Sequence, residues 1–191
     1  MNFASFPVES VPAPSERRSS RPLRRPRVLS TVLGALVATA LVTTAAAALA
    51  SHLLLNVTRS VPLGIYWMGG DSPRSFGRHD LVAFPVPPSV RDLVLERHYL
   101  MGGALLLKPV AAIAGDVVCI EGDALTISGE LAGRLRPRDS EGRGLPRDAR
   151  CGALPSGLVY VLAPDPRSFD SRVFGPVDIH TLRPVTPLWT F

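Results

Sequence analysis

The sequence predicts a mostly β domain that follows a single N-terminal transmembrane helix. Three observations lead to this fold class: an uncharged apolar segment from Val28 to Leu55, short apolar or β-branched runs after it, and an arginine-rich stretch before it. A chain of 191 residues has room for one membrane segment and one domain with its own hydrophobic core. We therefore expect residues 56–191 to form that domain.

Residues 1–27 mix Pro, Ser and Arg with little periodic apolar content, which is typical of a disordered tail. They carry six Arg and two Glu, whereas residues 56–191 carry fifteen basic and fourteen acidic side chains, so the tail holds most of the net charge of +5. A nucleic-acid-binding domain would instead spread its basic residues over a folded face, interleaved with aromatic residues. We therefore expect no nucleic-acid partner.

The apolar segment from Val28 to Leu55 is long enough, as a helix, to cross a hydrocarbon layer of about 30 Å. Arginine on its amino-terminal side places that end in the cytoplasm by the positive-inside rule, and the C-terminal domain on the outer face. The alternative is a cleaved signal peptide, because Ala48-Leu49-Ala50 resembles a small-x-small cleavage site. The segment exceeds the usual apolar region of about 7–15 residues, which favours an uncleaved anchor in the lipid bilayer.

The pattern after the anchor is typical of strands rather than of long helices. Short apolar or β-branched runs bounded by Gly, Pro or Asp predict strands at Leu81–Val86, Ala104–Val110, Val117–Ile120, Ala124–Ile127 and Leu158–Ala163. One short helix is predicted from about Ser89 to His98, where two prolines precede a Ser cap and apolar residues recur at helical spacing. Residues 129–151 are rich in Gly, Arg and Asp, so we expect a long exposed excursion from the β domain.

A candidate nucleophile, Ser60, lies a few residues beyond the anchor. Pro62 and Gly64 follow it and favour a turn that presents a short side chain. The same composition fits an ordinary turn serine, so this stretch alone leaves both interpretations open.

The chain has a single lysine, Lys108, against twenty arginines. An ammonium can lose its proton in a protein, whereas a guanidinium cannot. Apolar residues flank Lys108 on both sides, and such a setting would lower the pKa of the amine, as a general base requires. The alternative is a strand-end lysine that extends its head to water. Together, Ser60 and Lys108 are a candidate Ser-Lys dyad, in which neutral amine takes the hydroxyl proton.

Other chemistries have less support in the sequence. The four histidines show no metal-ligand spacing, so we expect no metal, and no glycine-rich loop is present to hold a phosphate-bearing cofactor. No Gly-x-Ser-x-Gly motif supports a Ser-His-Asp triad, and the residue three positions before Lys108 is Leu105 rather than Ser. Two cysteines are too few for a disulfide scaffold, though enough for one bridge outside the cytoplasm.

The order of three blocks resembles the signal peptidase I family of Ser-Lys membrane proteases. A serine motif follows a membrane anchor, then comes Lys108 with Gly115-Asp116, and then Ser168-Phe-Asp-Ser-Arg-Val-Phe-Gly-Pro-Val177. The serine block, Asn56-x-Thr58-x-Ser60-x-Pro62-x-Gly64-x-Tyr66, is most similar to the TraF branch, the conjugative-transfer peptidases that mature pilin subunits. The resemblance covers about residues 50–180 and implies a coiled β-sheet or barrel domain.

The resemblance also implies roles for individual residues. Ser60 matches the nucleophile and Lys108 matches its base. Thr58 lies where the family often places a hydroxyl that helps the Ser60 amide to bind the oxyanion. Ser168 matches the residue that forms a hydrogen bond with the lysine.

Two further pairs carry supporting roles by the same resemblance. Asp170 and Arg172 match a charged pair that braces the site. Cys119 and Cys151 resemble a pair that flanks the exposed excursion in TraF-like members, which favours a disulfide over a metal site or a reactive thiol.

The function implied is that of a serine endopeptidase anchored in a bacterial inner membrane by a single span, with its catalytic domain in the periplasm. Its expected substrates are exported precursor proteins cleaved after small residues, a conjugative pilin subunit above all. The resemblance leaves open whether the product is hydrolysed or cyclised, and allows other conjugation or secretion components as partners. The competing class is a non-enzymatic membrane-anchored β scaffold or adaptor, in which Ser60 and Lys108 have no chemical role.

The arginine-rich tail yields a topological prediction. Alkaline phosphatase fused after Phe191 should be active, because the positive-inside rule places that end of the chain in the periplasm. Phosphatase activity in intact cells measures this directly. An inactive fusion, together with an active cytoplasmic reporter at the same position, would contradict the topology and the class of substrate.

Overall fold

The computed structural model describes residues 27–70 and 75–191, so the predicted tail lies almost wholly outside the described residues. The chain divides into one unit that ends at Thr44 and a second from Ala45 to Phe191. The elements, in chain order, are α1 (Arg27–Ala50), β1 (Leu53–Asn56), β2 (Gly64–Met68), β3 (Leu81–Pro85), a 3₁₀ turn (Pro88–Val90), α2 (Arg91–Glu96), β4 (Leu105–Ala112), β5 (Val117–Glu121), β6 (Ala124–Ile127), β7 (Glu130–Arg134), β8 (Cys151–Ala153), β9 (Leu158–Val161), α3 (Ser171–Phe174), β10 (Val177–Asp178), a second 3₁₀ turn (Ile179–Thr181) and β11 (Arg183–Thr190).

The α1 helix is long and apolar enough to cross a membrane over Val28–Ala50, with a mean hydropathy of 2.1. Its threonine hydroxyls donate to backbone carbonyls one turn earlier, as Thr39 does to Ala35 at 2.9 Å, so these polar groups are satisfied inside the helix. The helix ends at Ala50, five residues before the predicted end of the anchor. Leu53–Leu55 instead pair with β2, because a short apolar run suits a strand as well as a helix.

The prediction of a mostly β domain is confirmed. A seven-stranded sheet has the order β1-β2-β11-β3-β4-β9-β10, and a four-stranded sheet has the order β7-β6-β5-β8. All five predicted strands are present, as β3, β4, β5, β6 and β9. The predicted short helix is also present, as the first 3₁₀ turn and α2, with Val90 and Val94 buried.

The larger sheet carries two hydrophobic clusters on its two faces. One contains Phe84, Leu106 and Val110. The other contains Tyr66 and Leu107. Successive residues of β4 therefore contribute to opposite clusters, as the period of two in a strand requires.

Residues 129–151 are mostly exposed and include a strand that the sequence did not predict. Glu130–Arg134 forms β7 against β6, and Leu135 is buried in the core beneath the smaller sheet. The strand was missed because β7 is an edge strand that buries no side chain, so its sequence lacks the alternation of a half-buried strand.

Cys119 and Cys151 form a disulfide bond, as predicted. The two residues lie directly opposite each other in the antiparallel pair of β5 and β8. The bond therefore joins the end of the 129–151 segment back to the smaller sheet.

Replacing both cysteines by serine should lower the free energy of unfolding by about 3–4 kcal/mol, because the bridge closes a loop with a sequence separation of 32. Urea unfolding of the oxidised and variant proteins in detergent measures the difference. Intact-mass analysis after alkylation without reductant is the control, and alkylation of both thiols in wild-type protein would contradict the bridge.

Candidate active site

Ser60 lies in the loop of residues 57–63 that connects β1 to β2. The loop is held from the inside by two side chains. The Asn56 amide nitrogen lies 2.9 Å from the Pro62 carbonyl oxygen, and the Tyr66 hydroxyl donates to the same oxygen at 2.5 Å. Because the loop is anchored at both ends, Ser60 is presented at a defined place next to the sheet.

The Ser60 hydroxyl is partly exposed and lies 3.5 Å from the Thr58 hydroxyl. Within the described residues, no protein acceptor lies within hydrogen-bond distance of the Ser60 backbone N–H. A backbone N–H that is free next to a nucleophile can donate to the oxyanion of an acyl-transfer intermediate.

Lys108 lies in β4 opposite Val82 and is only 3% exposed. Alternation along the strand places Lys108 on the same face as Leu106 and Val110, which belong to the larger hydrophobic cluster. Burial lowers the pKa of Lys108 to about 8, although the carboxylate of Asp170 acts against this shift. At about pH 8, half of the Lys108 side chains are therefore neutral and able to accept a proton.

Ser60, Thr58, Lys108 and Ser168 line one cleft of about 620 Å³. Ser60 lies in the loop between the first and second strands of the larger sheet and Lys108 in the fifth, so in a flat sheet at least three strand spacings, roughly 14 Å, would separate them. The sheet must therefore curl. Register shifts in β11 and in β4 mark bulges, which increase local twist and bend a sheet.

The cleft holds the predicted dyad without a hydrogen bond between its members. In the part of the chain that the structure describes, neither the Ser60 hydroxyl nor any other group forms a hydrogen bond with the Lys108 amine. Hydrogen bonds of a catalytic group are often long in a free enzyme and shorten when substrate binds. The structure thus places Ser60 and Lys108 in one cleft without a hydrogen bond between them.

Ser168 lies in the loop between β9 and α3. Its hydroxyl oxygen is buried and has no hydrogen-bond partner among the described residues, so the predicted bond to Lys108 is not formed here. A buried hydroxyl without a partner costs about 1–3 kcal/mol. A catalytic role is one of the explanations for such a group in a native structure.

Asp170 and Arg172 form a buried ion pair beside this loop. The Arg172 Nε donates to Asp170 Oδ1 at 2.9 Å, and its Nη2 donates to Asp170 Oδ2 at 2.6 Å. Asp170 is fully buried and also accepts from the backbone N–H of Ala163. Arg172 Nη2 donates to the carbonyl oxygens of Ala163 and Asp165. The pair therefore joins the end of β9, the loop that carries Ser168 and the start of α3.

The sequence motif included Asn56 and Tyr66 without giving either residue a role. Both are buried polar residues that bind the backbone of the nucleophile loop. Ser171 was also missed: its hydroxyl accepts from the backbone N–H of Val161 and so fixes α3 on β9. The only sequence signal for Asn56 was its place at the head of the serine block, because Leu53–Asn56 was not predicted to be a strand.

Comparison with known proteins gives consistent matches. The model of a family described as signal peptidase, peptidase S26, matches residues 25–187. The plasmid transfer protein TraF of Escherichia coli is 30% identical over 151 residues, which cover 74% of this chain and 84% of that protein. The conjugal transfer protein TraF of Agrobacterium tumefaciens strain 15955 is 34% identical over 180 residues, covering 88% and 99%. A signal peptidase I from Enterococcus faecalis V583 of known crystal structure matches 60% of this chain and 99% of its own, with 25% identity and a TM-score of 0.36.

The buried ion pair yields a prediction about stability. Asp170→Asn should lower the free energy of unfolding by about 3–5 kcal/mol, because it leaves the Arg172 charge buried without a counter-ion. The matched control is Asp123→Asn, which removes the exposed pair with Arg134 and should cost only about 0–1 kcal/mol. Urea unfolding followed by tryptophan fluorescence measures both. Equal effects of the two substitutions would contradict a bracing role for Asp170.

Proposed function

Because the chain belongs to the signal peptidase family of S26 peptidases, we propose that it is a membrane-anchored serine endopeptidase with Ser60 and Lys108 as its catalytic dyad. The observation that carries this proposal is the burial of the only lysine of the chain in the cleft that Ser60 also lines. Burial lowers the pKa of this amine to about 8, and a general base works best when its pKa is near the working pH.

In the proposed reaction, the neutral Lys108 amine takes the proton of the Ser60 hydroxyl while the Ser60 oxygen attacks the scissile carbonyl. The Ser60 backbone N–H donates to the resulting oxyanion. The Lys108 ammonium then gives its proton to the leaving amine. The part of the precursor that carried the scissile carbonyl remains bound to Ser60 as an ester. The Ser168 hydroxyl, which has no partner among the described residues, lies in the same cleft, where it can accept a hydrogen bond from the ammonium.

The ester can be resolved in two ways. Water attacks it to release a carboxylate, or the amino terminus of the same substrate attacks it to form a cyclic amide. Both steps regenerate the Ser60 hydroxyl, and the cyclic product is lighter than the linear one by one water. The mass of the mature subunit therefore distinguishes hydrolysis from cyclisation.

The proposed substrate is an exported precursor, a conjugative pilin subunit, cleaved after a small residue. The support is the similarity to proteins named for plasmid and conjugal transfer, together with the family of peptidases to which the chain belongs. The proposed location is the bacterial inner membrane, with α1 as the anchor and the β domain in the periplasm, which the arginine-rich tail supports. A scaffold without activity would leave Ser60 unreactive.

Lys108→Arg and Lys108→Met should each reduce precursor processing by a factor on the order of 100 to 10,000, because neither residue can act as a base. Wild-type processing should rise about tenfold per pH unit below the Lys108 pKa of about 8 and level off above it, because the neutral amine is the active form. Gel assays of pilin precursor conversion measure both effects.

Lys108→Met controls for the folding cost of the larger, permanently charged arginine, because methionine keeps the apolar stem and removes the buried amine. Ser60→Ala should be as inactive as either variant. Processing at near wild-type rate by Lys108→Met would refute the dyad, and a rate that falls with rising pH would refute the neutral amine as base.

A further inference from the structure

Asn56, the last residue of β1, is a buried polar side chain that the proposed reaction does not use. It is only 5% exposed. Its amide nitrogen lies 2.9 Å from the Thr58 carbonyl oxygen, 3.1 Å from that of Val61 and 2.9 Å from that of Pro62. Burial of an amide is costly unless its hydrogen bonds are made, and here the partners are three carbonyls of the loop that carries Ser60.

The orientation of this amide follows from its partners. Carbonyl oxygens only accept, so the nitrogen must face them and the Asn56 Oδ1 must face Thr58. That oxygen lies 3.2 Å from the Thr58 backbone nitrogen and 2.9 Å from the Thr58 hydroxyl oxygen. Because Oδ1 is only an acceptor, the Thr58 hydroxyl donates to it.

The same bond determines what the Thr58 hydroxyl can do toward Ser60. The Thr58 hydroxyl donates its hydrogen to Asn56, so it can only accept from the Ser60 hydroxyl, which lies 3.5 Å away. In this arrangement Ser60 donates and Thr58 accepts. The Ser60 backbone N–H then remains as the oxyanion donor of the proposed reaction.

We propose that Asn56 is a positioning residue of the nucleophile loop, which fixes the loop backbone through its amide nitrogen and orients the Thr58 hydroxyl as an acceptor through its amide oxygen. This inference rests on the proposed serine peptidase function. The Tyr66 hydroxyl assists at the far end of the loop, where it shares the Pro62 carbonyl with Asn56.

The test measures how fast Ser60 is acylated by a labelled penem in the full-length protein in detergent. Asn56→Ala removes all the bonds, and Asn56→Asp keeps the acceptor to Thr58 but loses the donors to the three carbonyls. Both variants should lower the acylation rate constant at saturating penem by about 10- to 100-fold, because a nucleophile displaced by about 1 Å loses on the order of 100-fold. The pH midpoint near 8 should stay, because Lys108 is unchanged.

The amplitude of labelling separates positioning from loss of folded protein, since a misfolded fraction lowers the amplitude and not the rate constant. Leu125→Ala, in the core of the smaller sheet, is the matched control: it should reduce thermal stability and leave the rate constant unchanged. Hydrogen exchange of residues 57–63 should accelerate in both Asn56 variants and not in the control.

Thr58→Val and Asn56→Ala should also be non-additive in the acylation rate constant, because part of the effect of Asn56 passes through the Thr58 hydroxyl. A wild-type rate constant in both Asn56 variants, with normal labelling that Ser60→Ala abolishes, would overturn this inference and leave the peptidase proposal intact. Absence of Ser60 labelling in the wild-type protein would overturn both.

Discussion

The site depends above all on the burial of one amine. Removal of Lys108 from water disfavours its charged form, and this is the largest influence on its pKa. The nearby carboxylate of Asp170 raises the pKa of Lys108, and the positive charge of Arg172, which is bound to that carboxylate at two points, lowers it. The Asp170–Arg172 pair thus has two effects: it holds the loop that carries Ser168, and the opposite charges of its members act on the pKa of Lys108 in opposite directions.

A second constraint is the curvature of the larger sheet, because Lys108 lies in a strand that is not a neighbour of β1 or β2, the strands joined by the Ser60 loop. In this sheet, β11 approaches the start of β2 closely. A Cβ atom added to Gly64 would lie 2.2 Å from the Trp189 carbonyl oxygen, so only glycine allows the two strands to pair there. The Phe191 backbone N–H also donates to the Leu63 carbonyl, which joins the C-terminal end of the chain to the nucleophile loop.

The loops on either side of the cleft are held by hydrogen bonds, whereas the side chains in it have few bonds among the described residues. The 57–63 loop is held by Asn56 and Tyr66, and the opposite loop is held by the Asp170–Arg172 pair, whereas the side chains proposed to react have few partners among the described residues. The Ser168 hydroxyl is buried and has no hydrogen-bond partner in the part of the chain that the structure describes, and such a group costs stability. A cleft that satisfied these groups internally would be more stable, but it would leave them no capacity for substrate or for proton transfer. This is the usual relation between rigid support and unsatisfied reacting groups in a preorganised site.

The sequence by itself determined the apolar helix, the five strands with clear apolar patterns and the residues of the candidate dyad, because hydrophobic period, turn residues and a lone lysine are local signals. It did not determine β1, which resembles the end of the anchor, or β7, which buries no side chain. Tertiary structure alone decided that Ser60 and Lys108 share a cleft, that Arg172 also binds the carbonyl oxygens of Ala163 and Asp165, and that Asn56 binds three carbonyls of the 57–63 loop. Each of these depends on how far a sheet curls or on which groups a turn brings within about 3 Å, and such distances arise from the packing of the whole domain rather than from any local pattern.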